Sequence, residues 1–110
     1  MMNELNIPEL SVSETHTLWQ NPPQDWHLID VREDEEVQEA HIPGSEWIPL
    51  SDFLNKSTHL NPKDSYVIYC KSGGRSAHVT AYLKQNGFEN VANMTGGILA
   101  WKSHQFETLP

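Results

Sequence analysis

The sequence predicts an α/β domain: a small parallel sheet covered by helices on both faces. Three observations predict it. Short apolar, β-branched runs alternate with helical patterns; turn signals built from Pro, Gly and Asn separate them; and 110 residues, free of repeats or linkers, suit one hydrophobic core spanning 1–110. Strands that alternate with helices at this spacing run parallel, because each right-handed crossover buries its helix on the sheet.

Taken in order, Ser11 and Glu14 fit a capping box that opens a helix through Leu18 and Trp19, and Asn21-Pro22-Pro23 stops it. Trp26 to Val31 is apolar and β-branched enough for a buried strand. Glu33, Asp34, Glu35 and Glu36 then suit the positive end of a second helix, which His41-Ile42-Pro43-Gly44 closes with a turn. Glu46 to Pro49 reads as a brief strand leading to a short helix near Ser51 to Leu54, and Asn61-Pro62-Lys63-Asp64 as a turn. Tyr66 to Tyr69 is the clearest strand. Val79, Tyr82 and Leu83 mark one face of the helix beyond it, with onset near Arg75 and Ser76 and Gly87 as its terminator. Val91 to Met94 reads as the last strand, Gly96-Gly97 as a tight turn and Ile98 to Lys102 as the final helix.

Composition narrows function. Seven Lys and Arg against fifteen Asp and Glu leave a formal charge of -8, which disfavours nucleic acid as a partner. MMNELNIPEL has no basic n-region or apolar h-region, and no run approaches the roughly 18 apolar residues of a membrane span. The expectation is a soluble, cytoplasmic protein without a membrane partner. Cys70 is the single cysteine, so no intrachain disulfide and no multi-cysteine metal site can form. The histidines, at 16, 27, 41, 59, 78 and 104, never fall three to five apart, so no metal site is expected.

The chemistry concentrates after the clearest strand, in Cys70-Lys71-Ser72-Gly73-Gly74-Arg75-Ser76. Adjacent glycines let the backbone curl with its N–H groups inward, making an anion cradle. The following helix adds the positive end of its macrodipole, and Lys71 and Arg75 add charge. Such surroundings favour a nucleophilic thiolate over inert core filling. With no acid inside the loop to protonate an oxygen leaving group, the site suits an anion attached to sulfur, and hence sulfane-sulfur transfer. This chemistry requires peptide hydrogens rather than carbonyls around the sulfur, and a sulfur not sealed beneath side chains. Asp30 ends the neighbouring strand on the same sheet edge, where ligands of such sheets bind.

Several stretches, in order, resemble the single-domain rhodanese family: Leu28-Ile29-Asp30-Val31-Arg32-Glu33, His41-Ile42-Pro43-Gly44-Ser45, Ile48-Pro49-Leu50, Val67 through Ser76, and Gly96-Gly97 with Trp101. The resemblance covers nearly the whole chain. It implies a three-layer fold with a five-stranded parallel sheet, no cofactor, and a sulfurtransferase in which thiosulfate or a persulfide donor loads Cys70. Cyanide or a thiol, including a protein thiol, then accepts the sulfur. Carried over by residue, Cys70 is the nucleophile, the backbone of Lys71, Ser72, Gly73, Gly74, Arg75 and Ser76 holds the outer sulfur, and Arg75 orders the loop and binds the anion. Asp30 and Arg32 brace the loop. The chain departs from the family pattern at Asp34, Val37 and Ala40, where Pro, an aromatic residue and Gly are frequent, which leaves the end of the second helix open. His41 is expected to pack or cap at its turn rather than act as a base.

Two alternatives stand beside this. Cysteine phosphatases and arsenate reductases of related fold have five residues between Cys and Arg, whereas four separate Cys70 from Arg75 here, and Tyr69 fills the place of a His before the nucleophile. A persulfide carrier or partner-docking module would keep the fold without free turnover, although an intact Cys70 argues against a purely inert domain.

Overall fold

The computed structural model describes residues 3–110. The first half of the chain contains β1 (Glu9–Leu10), α1 (Val12–Gln20), β2 (Trp26–Asp30), α2 (Asp34–Glu39), β3 (Glu46–Trp47) and a 3-10 turn (Leu50–Asp52) running into α3 (Phe53–Lys56). The second half contains β4 (Ser65–Tyr69), α4 (Gly74–Gln85), β5 (Asn90–Met94) and α5 (Gly97–Ser103). All strand pairs are parallel, in the order β1-β5-β4-β2-β3, so the strand that ends at Cys70 lies at the centre.

Local signals account for most boundaries. The capping box forms as expected: the Glu14 amide donates to Ser11 Oγ at 3.0 Å and the Ser11 amide to Glu14 Oε1 at 2.8 Å. α2 begins with three acidic residues at its positive end and stops at Ala40, whose φ of -166° is extended backbone open to any residue. That is why the absence of glycine there does no harm. α4 starts at Gly74, one residue before the predicted onset, because Gly73 takes the left-handed N-cap geometry at φ 112°. Of the residues assigned to its inward face, Val79 and Leu83 are buried, whereas Tyr82 stays 40% exposed beside Phe53.

The strand reading finds four strands, and the structure supplies the fifth at the edge. β1 is two residues long and follows Pro8, so it has no periodicity to read; it exists because β5 offers a free edge. The Asn93 amide donates to Pro8 O at 3.0 Å and the Thr95 amide to Leu10 O at 2.9 Å. A proline is tolerated there because an edge strand need not donate on both sides. β2 and β3 are shorter than predicted, yet their pairing runs on through Val31 N to Tyr69 O and Ile48 N to Asp30 O.

Alternation along the strands sorts the core into two layers. Ile29, Tyr66, Ile68, Cys70 and Val91 face Phe53 of α3 and Val79 and Leu83 of α4. Leu28, Val67, Tyr69 and Met94 face Val12 of α1 and Ile98 and Trp101 of α5. Both faces of a parallel sheet are thereby covered. Cys70 falls on the α4 face, directly beneath that helix's N-terminus.

The two glycines after β5 set the path of the cysteine loop. The first free amides of α5 point at it: Ile98 N donates to Cys70 O at 2.9 Å and Leu99 N to Lys71 O at 3.1 Å. This requires contact at Gly97, where a Cβ would lie 2.3 Å from Lys71 O and 2.6 Å from Cys70 O, on a backbone already at φ +59°. Gly97→Ala is therefore expected to cost at least about 2 kcal/mol of folding free energy, the sum of overpacking and a strained backbone. Gly44→Ala shares the positive φ but meets nothing within 4 Å, and should cost only about 1 kcal/mol. Equilibrium denaturation of the two variants measures the difference.

Candidate active site

The loop from Cys70 to Ser76 closes around its own sulfur. The Gly73 amide donates to Cys70 Sγ at 3.1 Å and the Ser76 amide at 3.4 Å, while Ser76 Oγ lies 3.2 Å away. The carbonyls of Cys70 and Lys71 are turned off toward α5, which leaves the N–H side of the loop to face the thiol. The amides of Lys71, Gly74 and Arg75 take no acceptor among the described residues. Peptide hydrogens rather than carbonyls therefore surround the sulfur, at the positive end of the 12-residue α4.

Burial by itself pushes the Cys70 thiol up. The Ser76 hydroxyl, when turned toward the sulfur, and the amides of Ser76, Gly73 and Ser72 pull it down by more, so the thiol ends below its ordinary value. Accessibility is lower than an open sulfur would give: Cys70 is 1% exposed. The groups in contact with Sγ are the loop's own amides and Ser76, and Lys71, Ser72 and Gly74 at the rim are exposed. A donor can reach the sulfur only where the exposed rim of the loop admits it.

The charged residues divide differently from expectation. Arg75 Nη1 and Nη2 bond to Glu36 Oε1 and Oε2 at 2.8 and 2.9 Å, a bidentate clamp from α4 to α2. Its charge is thus compensated by Glu36, while Lys71 makes no ion pair among the described residues. Asp30 and Arg32 do pair, with Arg32 Nη2 2.8 Å from Asp30 Oδ2 and both residues buried. Their bonds do not reach the cysteine loop. Arg32 donates instead to the carbonyls of Glu36 and Ala40, at 3.3 and 2.7 Å, and so fastens the end of α2. The pair supports the loop only at one remove, by holding the helix that carries Glu36. His41 sits at the close of α2, its Nδ1 3.3 Å from Val37 O and its backbone paired with Leu109.

Three participants escape the sequence reading. Glu36 looks like one acid in a solvated run, and only the fold brings it to Arg75. Gly97 reads as a turn residue, and only the approach of α5 shows why no side chain fits. Asn93 looks like an ordinary polar residue in a strand, yet it is 3% exposed and bonds both Ser76 and Gly73. Alternation from Val91 was a usable signal, since it places Asn93 on the α4 face.

The clamp makes a pH signature. Arg75 holds the Glu36 carboxyl down to about 2, below its ordinary 4.5. A carboxyl depressed on folding stabilises fully above its unfolded value and loses that contribution as the pH falls through its folded one. Stability is expected to decline between pH 4.5 and about 2 through this group, and Glu36→Gln to flatten that part of the profile; denaturant midpoints across the window measure it.

The comparisons with known proteins agree with this geometry. The Rhodanese-like domain profile matches residues 13–104. The chain is 44% identical over 87 residues to the putative sulfurtransferase YtwF of Bacillus subtilis, covering 79% of this chain and 81% of that protein. It is 36% identical over 110 residues to the chloroplastic Rhodanese-like/PpiC domain-containing protein 12 of Arabidopsis thaliana, covering 94% of this chain but spanning only 37% of that protein. The crystal structure of SSP1007 from Staphylococcus saprophyticus superposes with a TM-score of 0.76 at 36% identity, over 84% of this chain and 90% of that one. Homology of this kind supports a general sulfur-transfer function. Sheet order, cysteine loop and sequence similarity together establish that the chain belongs to the rhodanese-like domain family.

Proposed function

We propose that the chain is a thiosulfate sulfurtransferase of the rhodanese type, carrying sulfane sulfur as a persulfide on Cys70. The observation that supports it is the ring of peptide N–H groups around a thiol below its ordinary value. The Cys70 thiolate attacks the outer sulfur of thiosulfate; an S–S bond forms to Cys70, the donor's S–S bond breaks, and sulfite leaves with the electron pair. The new terminal sulfur carries negative charge, and the amides of Lys71 to Ser76 are placed to stabilise it. An acceptor, cyanide or a thiolate, then attacks that sulfur; thiocyanate or an acceptor persulfide departs and Cys70 is restored as thiolate. No proton donor is needed at either step.

This also weighs against the phosphatase alternative. Phosphoester cleavage calls for an acid at the leaving oxygen, and the carboxyl joined to the loop, Glu36, is held ionised by Arg75. We assign Arg75 to ordering the loop through Glu36, and Lys71, exposed and without an ion pair among the described residues, to drawing an anionic donor toward the rim of the loop. A persulfide carrier that hands its sulfur to a protein thiol would use the same ring. A cytoplasmic setting, where thiols stay reduced, suits either acceptor.

Thiosulfate with cyanide should yield thiocyanate in the presence of the protein, and Cys70→Ala should yield none. Intact-protein mass after thiosulfate should rise by about 32 Da, one sulfur atom, in the wild type only; no gain from any sulfane donor would refute the proposal. Arg75→Ala should lower kcat/KM by about 1.5–3 kcal/mol of transition-state stabilisation, through a loosened loop. Unchanged kinetics would remove Arg75 from the machinery.

A further inference from the structure

Behind the ring, one hydroxyl proton has two claimants. Ser76 Oγ lies 2.6 Å from Asn93 Oδ1 and 3.2 Å from Cys70 Sγ, and serine has a single hydrogen to give. The orientation of the Asn93 amide decides between them. Its Nδ2 sits 3.2 Å from Gly73 O, a carbonyl that can only accept, so the amino end must face Gly73 and the oxygen must face Ser76. Asn93 Oδ1 cannot donate. The Ser76 hydrogen therefore goes to Asn93, and Ser76 turns a lone pair toward the sulfur. That arrangement suits a thiol, which can donate S–H to Ser76, and opposes a thiolate.

We propose that Asn93 is a positioning residue that tunes the protonation of Cys70 by competing with it for the Ser76 hydroxyl proton. To stabilise a thiolate, the hydroxyl must swing from Asn93 to the sulfur and give up its shorter bond. When the inner sulfur is capped and uncharged, the proton returns to Asn93. All three residues are buried, at 3%, 0% and 1% exposure for Asn93, Ser76 and Cys70, so water does not readily substitute as the missing partner.

The charged groups near the sulfur do not dictate this choice. Arg75 interacts with Cys70 but is paired with Glu36, and Glu33 stands behind that pair. Asp30 and Arg32 neutralise one another at the end of β2, and Lys71 is exposed. β5 has no ionisable side chain, and α5 meets the loop with the backbone amides of Ile98 and Leu99 and no acid in its first turn.

The inference rests on Cys70 being the reacting sulfur, but its test needs no sulfur transfer: the Cys70 titration is followed by thiolate absorbance in the ultraviolet and by the pH dependence of alkylation. Asn93→Ala and Asn93→Leu, the latter refilling the volume without an acceptor, are expected to lower the thiol pKa by about half to one unit, the worth of one neutral hydrogen bond. The same substitutions in a Ser76→Ala background should leave it unmoved. Ser76→Ala alone should shift the titration by less than about half a unit, because in the wild type the hydroxyl is not freely available to the sulfur; a proton devoted to the thiolate would be worth about one unit or more. A rise of that size in Ser76→Ala overturns the inference. So does an Asn93 variant whose pKa is unchanged or higher, as mere loosening of the ring would produce, or one whose fall persists without Ser76. If the Asn93 variants do not fold, the Ser76→Ala titration alone decides. A protein that titrates as expected but takes up no sulfur would sink the proposed function and leave this inference standing.

Discussion

The direction of two peptide groups governs this molecule's chemistry. The carbonyls of Cys70 and Lys71 accept from the Ile98 and Leu99 amides at the N-terminus of α5, which commits the oxygen side of the loop to the protein and leaves the hydrogen side facing Sγ. Two helix N-termini thus share one loop. α5 uses its free amides to hold the loop's oxygens, and α4 uses its own to face the sulfur. Neither arrangement is available to an isolated peptide; each helix must be delivered by a strand, β5 for one and β4 for the other.

Around that centre the polar residues form supports of increasing distance. Ser76 lies against the sulfur and Asn93 behind Ser76, tied back to Gly73. Arg75 and Glu36 join the loop to α2, and Arg32, neutralised by Asp30, fastens the far end of α2 through Ala40 O. No buried side-chain nitrogen or oxygen among the described residues lacks a partner. In a low-dielectric interior an unpaired polar group is costly, so this network also admits few alternative loop conformations. The acidic character of the chain, with a formal charge of -8, leaves the loop as a local exception, lined by amides and rimmed by the exposed Lys71.

Much of this was legible from residue order. The alternation of apolar runs and helical patterns implied a parallel sheet covered on both sides, and the strand Tyr66 to Tyr69 running into Gly73-Gly74 marked Cys70 as the candidate nucleophile. These are local properties: a cap, a turn or a glycine pair acts within a few residues and is written where it acts. β1 was illegible because two residues have no period, and its partner is more than eighty residues away. Arg75 was read as ordering the loop and binding the anion, but the Glu36 carboxylate it clamps was not legible, because that partner lies on another helix, 39 positions earlier.

By itself, then, the sequence determined the element order, the covered parallel sheet and the place of the glycine-rich cysteine loop between strand and helix, since each follows from hydrophobic periodicity and short-range backbone preference. Only the tertiary structure decided which groups meet the sulfur. Burying both sheet faces forces β4 and β5 side by side, and that register, not any local motif, sets Gly97 against Lys71, Asn93 against Ser76 and the peptide hydrogens toward Cys70.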